Sequence, residues 1–140
     1  MKLIMTLLII TLIASIPTTT HAEDAITSKE ESVRLLVATS RRFIAETYIP
    51  QQGNSKAIEH VMSKRNRIVR SLDCSIAGGQ VPAFKKLRKI RRWLDAYYVI
   101  GSQSGIYRIG TKEDAAFALN TQMAVTYMDC ALHLTFSLRK

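Results

Sequence analysis

Cysteine, histidine and acidic residues are scarce in this chain. Its 140 residues include two cysteines, three histidines and 11 aspartates and glutamates. A zinc site takes about four ligands, mostly cysteine and histidine, so this composition argues against a metal centre. The glycine-rich phosphate loop and the glycine-flanked nucleophilic serine of common enzyme classes are also missing from the sequence. We therefore predict no metal, no cofactor and no catalytic residue, and a protein that is not an enzyme.

Long apolar runs are confined to the N-terminus. Lys2 precedes a largely apolar stretch that reaches Ala14, and the segment ends at Thr20-His21-Ala22. A basic start, an apolar centre and small residues at the end are the three parts of a signal peptide. We favour this reading over a membrane anchor, because the stretch is shorter than the roughly 20 residues of a transmembrane helix and Pro17 follows it. Residues 1–22 are thus predicted to be a leader, and the mature protein to be periplasmic or secreted.

The two cysteines, Cys74 and Cys130, both lie beyond this leader. An exported chain enters an oxidising compartment, so we expect one disulfide between them. The alternative is two separately buried thiols. Since no cysteine follows directly after the leader, a lipid-anchored lipoprotein is disfavoured.

Hydrophobic periodicity predicts four helices in a single domain over residues 23–140. Apolar residues recur at steps of three or four, which is typical of helices with one buried face. Capping boxes at Ser28–Glu31 and Thr111–Asp114, an N-cap at Asn54 and the position of Pro82 mark the predicted helix starts. Short connections favour antiparallel neighbours. The predicted fold class is all-α: a small four-helix bundle after a signal peptide, with one disulfide.

The last predicted helix, from about Ala115 to Leu138, is apolar on several sides. Its expected buried residues are Phe117, Leu119, Met123, Tyr127, Cys130, Ala131, Leu134 and Leu138. Alternatively, three apolar residues of this helix, Met123, Met128 and Phe136, are left over after packing and indicate a homodimer.

Positive charge is concentrated in two segments of a chain whose net charge is +9. Six cations lie within residues 85–92 and four within residues 64–70, and Asp73 is the only acid between Glu59 and Asp95. We predict that these segments form a binding surface, the basic ridge. It comprises Lys64, Arg65, Arg67, Arg70, Lys85, Lys86, Arg88, Lys89, Arg91, Arg92 and the adjoining Trp93.

A basic helical surface of this kind can engage an acidic protein, an anionic envelope surface or nucleic acid. The alternative without a binding role is a solvated helix face that keeps a small protein soluble. Zinc-finger spacing and an aromatic RNA-binding signature are absent, and the leader directs the chain away from the cytoplasm, so we predict no nucleic-acid partner. The nearby Trp93, Tyr97 and Tyr98 either anchor the binding surface or complete the core.

The connection from Gly101 to Gly110 contains three glycines and two serines, which indicates a loop. We predict that Tyr107 and Arg108 on this loop are further binding residues, because recognition residues concentrate on long loops. An ordinary connector is the alternative.

Three functions remain open at this point. The leading hypothesis is a non-enzymatic exported binding protein, an accessory or assembly factor of a secretion or envelope system whose basic ridge engages an acidic protein or envelope component. The second is a periplasmic immunity protein or enzyme inhibitor that acts through the 101–110 loop. The third is a small enzyme without a linear motif, which would need a pocket that holds His60 or His133 beside a carboxylate.

Overall fold

A computed structural model of the protein describes residues 21–139, with side chains described from residue 28 onward. This part forms four α-helices: α1 (His21–Ala45), α2 (Ser55–Ala77), α3 (Phe84–Gln103) and α4 (Lys112–Ser137). It contains no β-strand, so the all-α prediction is confirmed. The predicted signal peptide lies outside the described residues, except for its last two positions, where α1 begins.

Each helix packs against the next one in sequence, and α4 closes the ring by packing against α1. The two diagonal pairs, α1 with α3 and α2 with α4, have no Cα atoms within 8 Å of each other. Ring contacts show the direction of α4 relative to α3: Phe84 meets Phe136 at one end, and Tyr97 meets Phe117 at the other. The described chain is therefore a four-helix bundle with α3 and α4 antiparallel, as short connections predicted.

Local capping signals mark two of the helix starts correctly. The Asn54 side chain accepts hydrogen bonds from the amides of Lys56 and Ala57 at the start of α2. At α4, the Thr111 hydroxyl accepts from the amide of Asp114, and the Asp114 carboxylate accepts from the amide of Gly110. These side chains satisfy amides that have no partner within the helix.

The other two starts differ from the prediction. The helix α1 begins at His21, so Ser28 lies inside it and its carbonyl accepts a bond from the Ser32 hydroxyl. No glycine or proline separates His21 from Ser28, and nothing local stops the helix from extending upstream. The helix α3 begins after Ala83, whose backbone is extended and whose side chain makes no capping bond.

The buried face of α4 is only partly the one predicted: Phe117 and Ala131 are buried as predicted, and Leu134 and Leu138 pack against the core. Its buried residues follow steps of four and three: Phe117, Thr121, Ala124, Met128, Ala131 and Thr135. Leu119 is 59% exposed and Cys130 is exposed, so both were assigned to the core wrongly. Threonine is tolerated inside because its hydroxyl bonds back to a carbonyl in the preceding turn, as Thr121 does to Phe117.

The small residues on this face allow close packing against α1. The Ser40 hydroxyl of α1 donates to the carbonyl of Ala124 at 2.8 Å, and both residues are fully buried. Met128 is also fully buried, which removes it from the apolar residues offered for a homodimer.

The predicted disulfide is wrong for this structure. Cys74 and Cys130 are unpaired, and both are exposed, which also overturns the alternative of two buried thiols. Cys74 lies on α2 and Cys130 on α4, the diagonal helices whose Cα atoms stay more than 8 Å apart. A disulfide needs Cα atoms within about 7 Å.

Candidate binding surface on α2 and α3

The two basic segments lie side by side because α2 and α3 are packed neighbours. Arg67 of α2 and Lys89 of α3 both lie over the ring of Trp93, at 4.4 and 5.3 Å from its centroid. The negative face of an indole ring attracts cations. Trp93 therefore holds two like charges next to each other across the junction of the helices.

Cations follow an outward stripe on each helix. Lys85, Arg88 and Arg92 occupy positions i, i+3 and i+7 of α3, and Arg67 and Arg70 occupy positions i and i+3 of α2. Residues at these spacings share one face of a helix. All five are exposed. We call the whole set of cations around these stripes the basic face: Lys64, Arg67, Arg70, Lys85, Lys86, Arg88, Lys89 and Arg92.

Three acids on α2, α3 and α4 are paired with other cations, whereas Glu59 lines a hollow together with Arg67 and Arg70. Asp73 of α2 pairs with Arg41 of α1, with Arg41 Nε 2.7 Å from the Asp73 carboxylate. Asp95 and Asp129 both pair with Arg91. Among the residues that the structure describes, no cation of the basic face forms an ion pair. The positive charge of this face is therefore left to solvent and to partners.

Two members of the predicted basic ridge make structural contacts instead. Arg91 Nε donates to Asp129 of α4 at 2.7 Å, which ties α3 to α4. Burial by itself lowers the pKa of Arg91, but hydrogen bonds to Asp129 and Asp95 outweigh this effect, so its pKa is raised overall. Arg65 donates to the carbonyl of Thr47 at 2.9 Å, just beyond the end of α1. Both side chains stabilise the bundle rather than offering free charge.

Because α3 continues through Gly101 to Gln103, the first residues of the predicted 101–110 loop are helical. The rest of this loop is anchored to the core. Tyr107 is only 5% exposed, so the expectation that it is a surface residue is wrong. Its ring stacks on Phe117 with centroids 4.5 Å apart, and its hydroxyl donates to the carbonyl of Tyr48. Burial raises the pKa of Tyr107 to about 12. The loop instead presents Arg108, which is exposed, and Ile109, which is 93% exposed and which sequence reasoning did not single out.

Tyr97 belongs to the core as well. It is fully buried, and its hydroxyl has no hydrogen-bond partner among the described residues. Burial raises its pKa. Tyr98 is 43% exposed and lies parallel to the Phe117 ring. Of the three aromatic residues after the basic segment, Trp93 alone contacts the basic face.

The histidines and carboxylates that the structure describes are not gathered into a metal site. In the described part of the chain, no three side chains of histidine, cysteine, aspartate or glutamate are placed to hold a metal ion. His60 is exposed on α2. His133 shares a surface hollow of about 570 Å³ with Asp129 and Cys130, formed by one face of α4. The carboxylate of that hollow is already paired with Arg91.

A larger hollow of about 780 Å³ lies along α2 and reaches the basic face. Arg67 and Arg70 form part of its wall, together with the polar side chains of Ser63 and Asn66. Met62 contributes an apolar surface. Cationic, hydrogen-bonding and apolar groups therefore meet at this edge of the basic face.

The fold and this surface define the class of the molecule: a small four-helix bundle with one strongly basic face. None of its helices, within residues 21–139, has the length and apolar character needed to span a bilayer. Comparisons of the chain with protein families, with characterised proteins and with solved structures find no match.

Proposed function

We propose that the protein is an exported, non-enzymatic binding protein whose basic face docks onto an anionic partner, as an accessory or assembly factor of a secretion or envelope system. The observation that carries this proposal is the set of eight cations on two neighbouring helices, none of them paired with an acid in the described structure. Like charges held together in this way repel one another and destabilise the folded state. An anionic partner would relieve that repulsion.

The sequence at the start of α3 also destabilises the folded state. Lys85 and Lys86 lie in its first turn, no acid does, and the N-cap residue Ala83 makes no side-chain bond. The N-terminus of a helix is its positive end, so cations there are unfavourable. Sequence choices that oppose local stability are expected at functional sites, which supports a binding role over a merely solvated face.

The test is capture of partners from the native envelope with the mature protein, residues 23–140, at low and high salt. A partner held by the basic face should be retained at low salt, lost at high salt, and lost from the double variant Arg88→Glu/Arg92→Glu. Arg108→Glu/Lys112→Glu changes the net charge equally, outside the basic face, and is the matched control. Retention by the Arg88 and Arg92 variant at wild-type level would refute the proposal.

A second candidate is the immunity protein or enzyme inhibitor that acts through the 101–110 loop. It is supported by Ile109, a large apolar side chain almost fully exposed beside the charged Arg108. The anchored Tyr107 holds this loop against the bundle, as an inhibitory loop requires. Loss of the partner from the Arg108 and Lys112 variant, with retention by the Arg88 and Arg92 variant, would favour this candidate.

A further inference from the structure

We infer that the anionic partner is an acidic protein segment, a helix with carboxylates three to four residues apart that lies along α2 and α3. This inference rests on the proposed function above and deepens it by choosing a protein over a bilayer surface.

The first argument is the arrangement of the cations. Lys85, Arg88 and Arg92 span two turns of α3, which is about 10 Å at 1.5 Å per residue. Arg67 and Arg70 form a shorter row on α2, and packed helices lie about 8–10 Å apart. A partner helix with acids at i, i+3 and i+7 repeats the spacing of these rows. Such a helix can lie between the rows and meet both.

The second argument is the fixed position of Arg67. Its guanidinium group stacks on Trp93 at 4.4 Å while the residue stays exposed. A guanidinium group presents a planar fork of N–H donors that matches one carboxylate. Stacking restricts this side chain before binding, so less entropy is lost when the carboxylate arrives.

The third argument is the lack of apolar side chains to insert into a bilayer. Surfaces that bind membranes combine cations with apolar groups that enter the lipid. Trp93, the aromatic residue that contacts the basic face, is partly buried and is covered by Arg67 and Lys89. The large apolar side chains that the described structure exposes lie outside the basic face: Leu35, Tyr48, Tyr98, Val99, Ile109, Leu119 and Phe136.

The hollow beside Arg67 and Arg70 provides room for side chains of the partner. Its apolar surface at Met62 and its polar groups at Ser63 and Asn66 can pack and hydrogen-bond with a peptide. Glu59 also lines this hollow, so uncharged side chains of the partner are expected there and its carboxylates at Arg67 and Arg70. A mixed hollow of this kind suits a protein segment better than a layer of lipid headgroups.

The test uses Trp93 as an intrinsic reporter, since it is the only tryptophan in the chain. The mature protein is titrated at physiological salt with an alanine-based helical peptide that carries glutamates at i, i+3 and i+7. Two control peptides carry glutamines instead, or the same number of glutamates in one contiguous run. Vesicles of phosphatidylglycerol are the lipid probe. We expect the spaced-glutamate peptide to shift the Trp93 emission most strongly, and the vesicles to leave it unchanged.

Charge reversal should then locate the peptide. Arg67→Glu/Arg70→Glu should weaken binding by up to about thirtyfold, since two exposed charge pairs of up to about 1 kcal/mol each are lost. Lys29→Glu/Lys112→Glu changes the net charge equally at two exposed lysines outside both the basic face and the 101–110 loop, and should leave the affinity unchanged. Circular dichroism of each variant confirms that it is folded.

Labelling of the two native thiols can show which face of the protein the bound peptide covers. Cys74 lies one turn after Arg70 on the same face of α2, and Cys130 lies on the diagonal helix α4. Both are exposed, so both should react with a maleimide in the free protein. The bound peptide should slow the labelling of Cys74 and leave that of Cys130 unchanged.

The outcomes separate this inference from the proposed function. Binding to phosphatidylglycerol vesicles without binding to the spaced-glutamate peptide would overturn the acidic helix and keep an anionic partner for the basic face. Equal binding of all three peptides would also overturn it, because neither charge nor spacing would then matter. The proposed function fails separately, when the Arg88 and Arg92 variant captures the native partner as well as wild type does.

Discussion

Gly101→Ala should destabilise this protein, although alanine is a better helix former than glycine. Gly101 is buried near the end of α3, and the Phe117 ring of α4 packs directly over it. A Cβ atom added at Gly101 would lie 2.0 Å from Phe117 Cζ and 2.6 Å from Cε1. The ring has little room to move, because Tyr107 stacks on it at 4.5 Å and Tyr97 lies 5.4 Å away. The added methyl group must therefore displace packed groups.

The size of the destabilisation by Gly101→Ala follows from two opposing effects. Overpacking a core by one methyl group costs typically 1–3 kcal/mol, and we take about 3 kcal/mol here because the overlap is severe. Replacing glycine by alanine within a helix returns about 1 kcal/mol. The expected net loss is about 2 kcal/mol in the free energy of unfolding. With a urea dependence of about 2 kcal/mol per molar, the unfolding midpoint should fall by about 1 M.

Urea unfolding followed by circular dichroism measures this loss, and Gly78→Ala is the matched control. Gly78, just beyond α2, has a φ of −71° and no atom within 4 Å of an added Cβ, so alanine there should not destabilise. In a Phe117→Leu background the smaller side chain leaves space, and Gly101→Ala should cost about 1 kcal/mol less. An unfolding midpoint for Gly101→Ala at or above the wild-type value would refute the packing described for Phe117.

Four further predictions concern the thiols, two buried tyrosines, the pH dependence of one of them, and an ion pair. The folded protein should show two free thiols, Cys74 and Cys130, in a thiol titration without reductant, since they are too far apart to pair. Tyr107→Phe should lower the free energy of unfolding by about 1 kcal/mol through the lost hydrogen bond, whereas Tyr97→Phe should be neutral or stabilising because that hydroxyl has no described partner. Because burial raises the Tyr107 pKa from 10.0 to about 12, its contribution to stability should be complete below about pH 10 and decline as the pH rises towards 12. Arg91→Met should lower stability by about 1 kcal/mol, with partner binding unchanged.

Each of these predictions has a result that contradicts it. A mass two hydrogens lighter than the free-thiol form would show that Cys74 and Cys130 are joined. Equal effects of phenylalanine at positions 97 and 107 would contradict the different surroundings of the two hydroxyls. An absorbance titration in which every tyrosine ionises near pH 10 would contradict the burial of Tyr107. Loss of partner binding in Arg91→Met would place that cation back on the binding surface.

Local signals predicted much of the helical framework. Side chains of Asn54 and Thr111 bond to amides two or three residues away, so their effect is legible without knowledge of the fold. The stripe Leu87, Ile90, Leu94 is equally legible, because it is apolar among cations. The two basic segments were found in the same way, from composition along the chain.

The errors came from residues whose position depends on distant contacts. Thr121 is polar by composition, yet it is buried with its hydroxyl bonded to the Phe117 carbonyl. Tyr107 lies in a loop with a polar composition, yet its ring stacks on Phe117 and its hydroxyl donates a hydrogen bond to the carbonyl of Tyr48. The bond of Thr121 lies within α4, but the burial of Thr121 is set by the helices packed against α4, and the contacts of Tyr107 join distant parts of the chain. The apolar periodicity of a single helix reports neither.

The candidate binding surface likewise has features that local sequence predicts and features that only distant contacts determine. The sequence alone located ten cations but could not show which of them pair with acids inside the bundle. Arg88 and Arg91, for example, look alike in a basic run. The tertiary structure separates them: Arg91 faces two carboxylates, one of them on α4, while Arg88 has no acid within ion-pair distance among the described residues. It likewise places Arg67 over Trp93, a contact between helices.

The sequence by itself determined that this chain is helical, where two of its four described helices begin, and that its positive charge lies in two segments. These properties arise from interactions within a few residues of the chain. The tertiary structure alone decided which face of α4 is buried, that Cys74 and Cys130 lie on diagonal helices, and that eight cations share one open face. Those properties depend on which helices meet and on which sides, and the packing of the whole bundle sets both.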